Sequence, residues 1–530
     1  MKELVLPNAE DISGNPNSPV FADHNVVDLL LELPEETSSY VVNHYEARGG
    51  DHLTVGTTVL LPISDLRNIN KWIPIKAHKG KKAGTSYVLV SPDENQLPFD
   101  DNTPVVHMPY FVTEKYRNKN YWGPHPDHVH GLKNKRLFFE NISRLSTNLG
   151  NITKDNGWGE YVTLPYEIAT GRDNVLIAIA NREEEVSVMY DIVLNRLVNS
   201  ENFASADILA DYQPAVMFRM TTGDGGFGSG SIRCHQNGSY EVSIESAVRQ
   251  FDSRDKAYQY LYTELRPSEY IVTRKIDVAE SPSIGVYFRD GHFQAMPATV
   301  QFIKGEGCVG GGSQNIAPVE KQQLIKAAEP TMQQIATKLA SVMTDGGVRH
   351  GHIGFDFIVG GEKERILYEA VHSDPDLAVR FGNESNLISV VESNPRFTSL
   401  SLTVQPFVRY ELQKRAKRNG HITGSDLSRW YGQPDEKGRQ GGFAVWDYVE
   451  LPGLISSERK LIEAIENFNQ RFEDSDIIMI PRLPLEFKEG KIITSVALGM
   501  MPTANSKSHD VFRELVIAVS KRYHLEDINI

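Results

Sequence analysis

Glu392 and Asn394 stand two residues apart in Val390-Val391-Glu392-Ser393-Asn394-Pro395-Arg396. The run reads as a strand, in which alternate side chains share a face, so a carboxylate and an amide oxygen project side by side. Such a pair suits Mg2+, a hard cation that takes oxygen ligands in octahedral geometry. Pro395 breaks the strand and leaves the planar fork of Arg396 to reach an anionic substrate or a phosphate. Asp356, in Phe355-Asp356-Phe357-Ile358, is an acid among apolar neighbours. A carboxylate buried there needs a partner or a metal. A solvated Glu-Ser-Asn turn on an edge strand would carry the same letters without a metal.

The second candidate is the run Gly223-Asp224-Gly225-Gly226-Phe227-Gly228-Ser229-Gly230, reached from a strand ending in Arg219-Met220. It satisfies the bare GxGxxG pattern, but a dinucleotide fold needs a helix directly after it. Here a polar turn follows, Cys234-His235-Gln236-Asn237-Gly238. A P-loop needs Gly-Lys-Ser/Thr, and Gly230-Ser231-Ile232 has no lysine. Strand, glycine loop and strand can fold over ATP phosphates and offer them backbone N–H groups. A mobile surface loop would have the same composition.

The elements that must hold these residues alternate between strand and helix patterns. Strands are expected at 57–62, 86–90, 174–180, 214–220, 239–244, 270–276, 284–288, 298–303, 352–359 and 387–396, and 25–33 reads as a strand or a short helix. Asp290-Gly291 marks a hairpin. Helices are expected at 133–142, 184–198, 245–264, 318–343, 404–418, 457–473 and 508–523. The helix at 318–343 has the clearest 3.6-residue apolar period and stops at Asp345-Gly346-Gly347.

At 530 residues the chain has room for roughly three to four domain-sized units. Its hydrophobic share of 40% and charged share of 23% are those of a folded protein and exclude general disorder. Lys+Arg number 55 against 69 Asp+Glu, a net charge of −14, which excludes a general nucleic-acid binder. Two cysteines, Cys234 and Cys308, are too few for a disulfide framework or a structural zinc site. Cys308 is expected to be a small buried hydrophobe. No stretch approaches the ~18 apolar residues of a membrane span. The N-terminus turns acidic before any leader-length apolar run, so a cytoplasmic location without a membrane partner is expected.

In chain order, the Lys133-Asn134-Lys135 helix, the strand and glycine loop, Thr273-Arg274-Lys275-Ile276, the long helix, Gly354-Phe355-Asp356-Phe357 and Val391-Glu392-Ser393-Asn394-Pro395-Arg396 resemble the series of the ATP-grasp superfamily. The resemblance covers about 132–400. It implies an α/β (α+β) ATP-grasp domain at 132–400, preceded by an α/β pre-ATP-grasp-like region at 1–131 and followed by a mixed α/β region at 401–530. It implies ATP and Mg2+ as cofactors, with Glu392 and Asn394 holding Mg2+ and Asp356 a further ligand. Glu369, nearer the superfamily's usual spacing from Asp356, is the alternative acid. By the same resemblance, Arg219, Gly225, Gly226, Phe227, Gly228 and Ser229 face the phosphates, and Thr273, Arg274, Lys275 and Ile276 form the adenine hinge. Arg396 and Arg349 are the implied catalytic cations, at the transferred phosphoryl group and the acyl phosphate.

The implied reaction activates a small-molecule carboxylate as an acyl phosphate and passes it to an amine, giving an amide or peptide bond, ADP and phosphate. The extra terminal regions are similar to those of the pheganomycin-type peptide ligases, so an amino acid or peptide is the expected substrate. The superfamily also implies a homodimer or larger homo-oligomer. Two residues depart from its pattern: Arg219 replaces the usual lysine, and Asp224 puts a negative charge in the glycine loop. They leave open an ATP-binding regulatory protein without turnover. A kinase-like phosphotransferase also has a glycine loop between strands, but the chain lacks His-Arg-Asp and Asp-Phe-Gly.

Overall fold

A computed structural model of the protein describes residues 3–22, 53, 57–62, 73–75, 86–90, 103–109, 112–160, 162–211, 213, 215–223, 228–245, 247–304, 306–344, 349–396, 398–416, 421–455, 458–488 and 491–522. The chain is a mixed α/β protein whose described strands form three sheets. Short helix α1 (Ala9–Ser13) precedes the first sheet. Its strands are β1 (Val20–Phe21), β2 (Thr58–Pro62), β3 (Ile73–Ile75), β4 (Ser86–Val90), β5 (Val106–His107) and β6 (Asn120–Tyr121), ordered β3-β4-β2-β1-β5-β6. All pairs are parallel except β3–β4 at the edge. Val59, Leu60 and Leu61 are all fully buried, as a parallel strand covered on both faces requires. The run expected at 25–33 lies outside the described residues.

Helices α2 (Pro126–Lys133), α3 (Lys135–Arg144) and α4 (Ser146–Asp155) lead onward. Asn134 caps α3 by accepting from the Leu137 N–H, and Phe138, Phe139 and Ile142 are buried. The second sheet is antiparallel. It holds β7 (Tyr166–Thr170), β8 (Ala215–Met220), β9 (Ser229–Cys234), β10 (Tyr240–Ile244), β11 (Ala247–Phe251) and β12 (Glu269–Arg274), ordered β11-β10-β9-β8-β12-β7. Helices α5 (Arg172–Asn199), α6 (Phe203–Ala210) and α7 (Arg254–Glu264) accompany it.

Two of the expected elements take a different form. The strand expected at 174–180 is the first part of α5, which continues through the helix expected at 184–198. Val175, Ala178, Ile179, Arg182, Val186, Met189, Tyr190, Val193 and Leu197 are its buried residues. That spacing is helical, and packing against the sheet overrides the local β propensity of Val-Leu-Ile. The helix expected at 245–264 begins only at Arg254; the chain turns through Glu245 at φ 54° and returns as edge strand β11.

The third sheet has ten strands. β13 (Val278–Glu280), β14 (Pro282–Arg289), β15 (His292–Ala295), β16 (Thr299–Lys304) and β17 (Gly307–Ser313) come before helix α8 (Val319–Met343). Asp290 and Gly291, both at positive φ, make the expected hairpin turn between β14 and β15. α8 buries Ile325, Met332, Ile335, Leu339 and Met343 in the main core with Ile284, Val286, Ile353 and Phe355. Each such burial stabilises by roughly 1.5–3 kcal/mol. The stop at Gly346-Gly347 lies outside the described residues.

Strand β18 (His350–Gly360) then leads into helices α9 (Glu362–Ser373) and α10 (Pro375–Phe381) before β19 (Ile388–Asn394) returns beside it. This helical insert accounts for the long sequence gap between Asp356 and Glu392. The remaining elements are α11 (Ser399–Ala416), α12 (Gly424–Trp430), β20 (Gln440–Glu450), α13 (Glu458–Arg471), β21 (Ile477–Lys488), β22 (Lys491–Thr503) and α14 (Ser506–Arg522).

The boundary expected at 400/401 does not break this sheet, because β20 pairs with β17 and carries β22 and β21 with it. Gly310, Gly311 and Gly312 permit the junction. A β-carbon on Gly312 would lie 2.3 Å from the Phe443 carbonyl oxygen, and one on Gly310 (φ +149°) 2.2 Å from that of Val445. Cys308, expected to be buried, is exposed on β17. The first sheet meets the third where the Gly123 N–H donates to the His350 carbonyl at 2.9 Å. Among the described residues no helix is long and apolar enough to cross a membrane.

Candidate active site

β18 and β19 run antiparallel with Asp356 directly opposite Glu392 and Gly354 opposite Asn394. The Asn394 side-chain N–H donates to Asp356 Oδ2 at 3.1 Å and Gln301, from β16, donates to Oδ1 at 2.7 Å. Asn394 therefore keeps its amide oxygen as a metal donor. Burial, then the adjacent Glu392 charge, pushes the Asp356 carboxyl up to about 6, against hydrogen bonds from Ser283 and Gln301 and the Arg396 charge. Two acids facing one another in a half-buried place are poorly compensated without a cation.

One cation is supplied by Lys135, at the start of α3. It is 3% exposed, its ammonium lies 3.1 Å from Glu392 Oε1, and it also donates to the Gly223 carbonyl at the mouth of the glycine loop. Arg219, at the end of β8, donates from Nη1 to the Val391 carbonyl at 2.9 Å and stacks over the Phe139 ring at 5.4 Å. Burial pushes its guanidinium down, and the charges of Glu392, Glu306 and Asp356 pull it back up.

A cavity of about 100 Å3 opens beside this cluster, between the second and third sheets. Phe139, Leu164, Met217, Ile276, Ile358 and Val390 make its wall apolar, and Thr273, Arg274 and Lys275 run along it at the end of β12. Thr163 Oγ1, Ser389 Oγ and Arg219 Nε line it as buried polar atoms with no protein partner. An apolar slot with a few orphaned donors and acceptors suits a flat heteroaromatic base.

The sequence-derived residues fall into three groups. Asp356, Glu392, Asn394, Arg219, Arg396 and the 273–276 segment come together, with Ser229 paired to Arg219 across β8 and β9. Gly228 sits at φ +72°, where a β-carbon would press on Met220 at 2.8 Å. Gly225, Gly226 and Phe227 lie outside the described residues. Glu369 and Arg349 stand apart. Glu369 is on the exposed face of α9, turned out by the burial of Leu367 and Val371. Arg349 stacks over Tyr121 at 4.8 Å, where the carboxyl ends of β5 and β6 meet the start of β18. It is seven residues from Asp356 along an extended strand, roughly 23 Å at ~3.3 Å per residue.

Among the described residues no group of three or more His, Cys, Asp and Glu side chains could hold a metal ion by itself. Mg2+ does not need such a group, since it binds through one or two carboxylates together with substrate phosphates. Asp356, Glu392 and Asn394 fit that requirement. Lys135 and Gln301 were missed by sequence reasoning. Lys135 was visible only as a lysine beside the α3 cap, and Gln301 carried no signal.

His352, on β18, donates through Nδ1 to the Arg396 carbonyl at 2.9 Å and is pushed down to about 4 by burial. Between about pH 6.5 and 4 the unfolded chain takes a proton here that the folded chain refuses. The stabilising effect of the neutral ring is full above 6.5 and is lost as pH falls toward 4. Asp356 acts oppositely, gaining its proton first in the folded state between about 6 and 4. His352→Asn, which keeps the donor, should gain about 2 kcal/mol relative to wild type between pH 7 and 5. Denaturant unfolding of the ligand-free protein at both pH values measures this; a pH-independent difference would refute it.

No protein-family model matches the chain, and no curated protein matches it. Among solved structures, the chain is similar to carboxyaminoimidazole ribonucleotide synthase from Aspergillus clavatus complexed with ATP, at 10% identity and a TM-score of 0.46, covering 96% of this chain and 100% of that one. It is similar to phosphoribosylamine–glycine ligase from Thermotoga maritima at 11% identity and a TM-score of 0.41, covering 94% and 96%. It is also similar to biotin carboxylase from Campylobacter jejuni in a β,γ-ATP complex, at 9% identity and a TM-score of 0.41, covering 93% and 89%.

Proposed function

We propose that the chain is an ATP-grasp-type ligase that uses Mg-ATP to join a small-molecule carboxylate to an amine. The observation that carries this is the cross-strand Asp356–Glu392 pair with Asn394, Lys135 and Arg219 around it, beside an apolar cavity with orphaned polar atoms. The base lies in the cavity against Thr273–Ile276. The triphosphate extends toward Arg219 and Lys135. Asp356, Glu392 and the Asn394 amide oxygen would hold Mg2+, which would supply charge neutralisation for the phosphates.

Arg396 orients the substrate carboxylate, one oxygen of which attacks the γ-phosphorus as the bond to the β–γ bridging oxygen breaks and ADP leaves. The amine nitrogen then attacks the acyl carbon, and phosphate departs with one former carboxylate oxygen and the amine proton. An amino acid or short peptide is the substrate class proposed, and a homodimer the working assembly.

Incubation of purified protein with Mg-ATP and pooled amino acids, resolving ADP from AMP, tests this. ADP and phosphate released only when amino acids are present are expected. AMP and pyrophosphate would refute the acyl-phosphate route, and nucleotide binding without any release would instead identify a regulatory ATP binder.

A further inference from the structure

Arg274, the last residue of β12, lines the nucleotide cavity, yet its guanidinium points into the α9–α10 insert. Nη1 donates to Glu364 Oε2 at 2.9 Å, Nη2 bonds the other oxygen, and both side chains are 0% exposed. Nε donates to the Glu384 carbonyl at 3.0 Å, and Nη1 reaches Tyr190 Oη at 3.4 Å and the Lys275 carbonyl at 3.5 Å. The insert is itself fastened to α5. Arg182 pairs with Glu384, Arg196 lies 3.4 Å from Asp374, and Leu367, Val371, Leu377 and Phe381 pack with Val186, Met189, Tyr190 and Val193.

A dry ion pair is a poor source of stability, because desolvating two charges offsets most of their attraction. What the planar guanidinium fork does provide is a fixed direction. Here that direction runs from the insert to the backbone that borders the cavity.

We infer that Glu364 is a positioning residue for the nucleotide. Through Arg274 it holds the backbone of 273–276 against the base, so α9 and α10 set how tightly and how selectively an adenine nucleotide binds. This rests on the nucleotide reading of the cavity.

Calorimetric titration of the full chain with Mg-ATP and with Mg-GTP tests it, using wild type, Glu364→Gln and the double variant Arg274→Met/Glu364→Leu. The double variant removes both charges together, so its thermal midpoint should fall only by the loss of the Arg274 bonds to Glu384, Tyr190 and Lys275, less than when one charge is left buried alone. Its Kd for Mg-ATP should rise about tenfold, and its preference for ATP over GTP should shrink by a similar factor, as small misplacements at a site do. A merely structural pair would leave that preference unchanged in a folded variant. Wild type that binds no nucleotide would overturn the proposed function and this inference with it. Wild type that binds, with a folded double variant matching its Kd and ATP preference within twofold, would overturn the inference alone. If Glu364→Gln does not fold, the double variant decides.

Discussion

Replacing Glu392 with glutamine is expected to cut ATP turnover by at least ~10²-fold, the scale on which one positioned electrostatic group contributes to a transition state. Glutamine keeps the side chain's shape and leaves an oxygen for the Lys135 ammonium, which lies 3.1 Å from Glu392 Oε1. It removes the negative charge that faces Asp356 across the two strands and that, in the proposed site, would attract Mg2+. The same charge helps to hold the Asp356 carboxyl up at about 6, so Asp356 should become easier to ionise in the variant. The fold should survive, because the β18–β19 ladder does not use the altered atoms. Steady-state ADP release beside a thermal melt checks both halves. Activity within fivefold of wild type in a folded variant would remove Glu392 from the metal site.

Lys135→Met is expected to be the most destabilising single change at the site. It strips the ammonium from Glu392 while leaving that carboxylate opposite Asp356. Removing one partner of a buried pair costs about 3–5 kcal/mol, and the 18% exposure of the Glu392 side chain points to the lower end. A cation supplied from solution should compensate. Millimolar Mg2+ is therefore expected to raise the variant's thermal midpoint more than that of wild type. Equal shifts would mean that Lys135 does not neutralise the metal-binding pair.

The strands of the candidate site were legible because each combines β-branched residues with a terminal breaker, as Pro395 ends the run after Glu392. The hairpin at Asp290-Gly291 and the period of α8 were legible for similarly local reasons. What the sequence hid was decided by tertiary packing. Val175 to Ala180 have β propensity, yet they lie in a 28-residue helix because one side of it meets a sheet. The Asp356–Glu392 spacing argued for Glu369 until α9 and α10 were seen to fill the gap and turn Glu369 outward. Lys135 and Gln301 reach the site from separate elements, and no spacing in one strand can signal such convergence. The third sheet's passage across 400/401 was hidden too, since it depends on β20 approaching Gly310 to Gly312 from more than 120 residues away in the chain.

In the proposed reaction, a carboxylate oxygen of the substrate ends in the released phosphate. Turnover of Mg-ATP with amino acids bearing 18O in their carboxylates, followed by mass analysis of the phosphate, tests it most directly. One 18O per phosphate, released with ADP, is the expected result. Unlabelled phosphate formed while the amide product accumulates would contradict the acyl-phosphate mechanism.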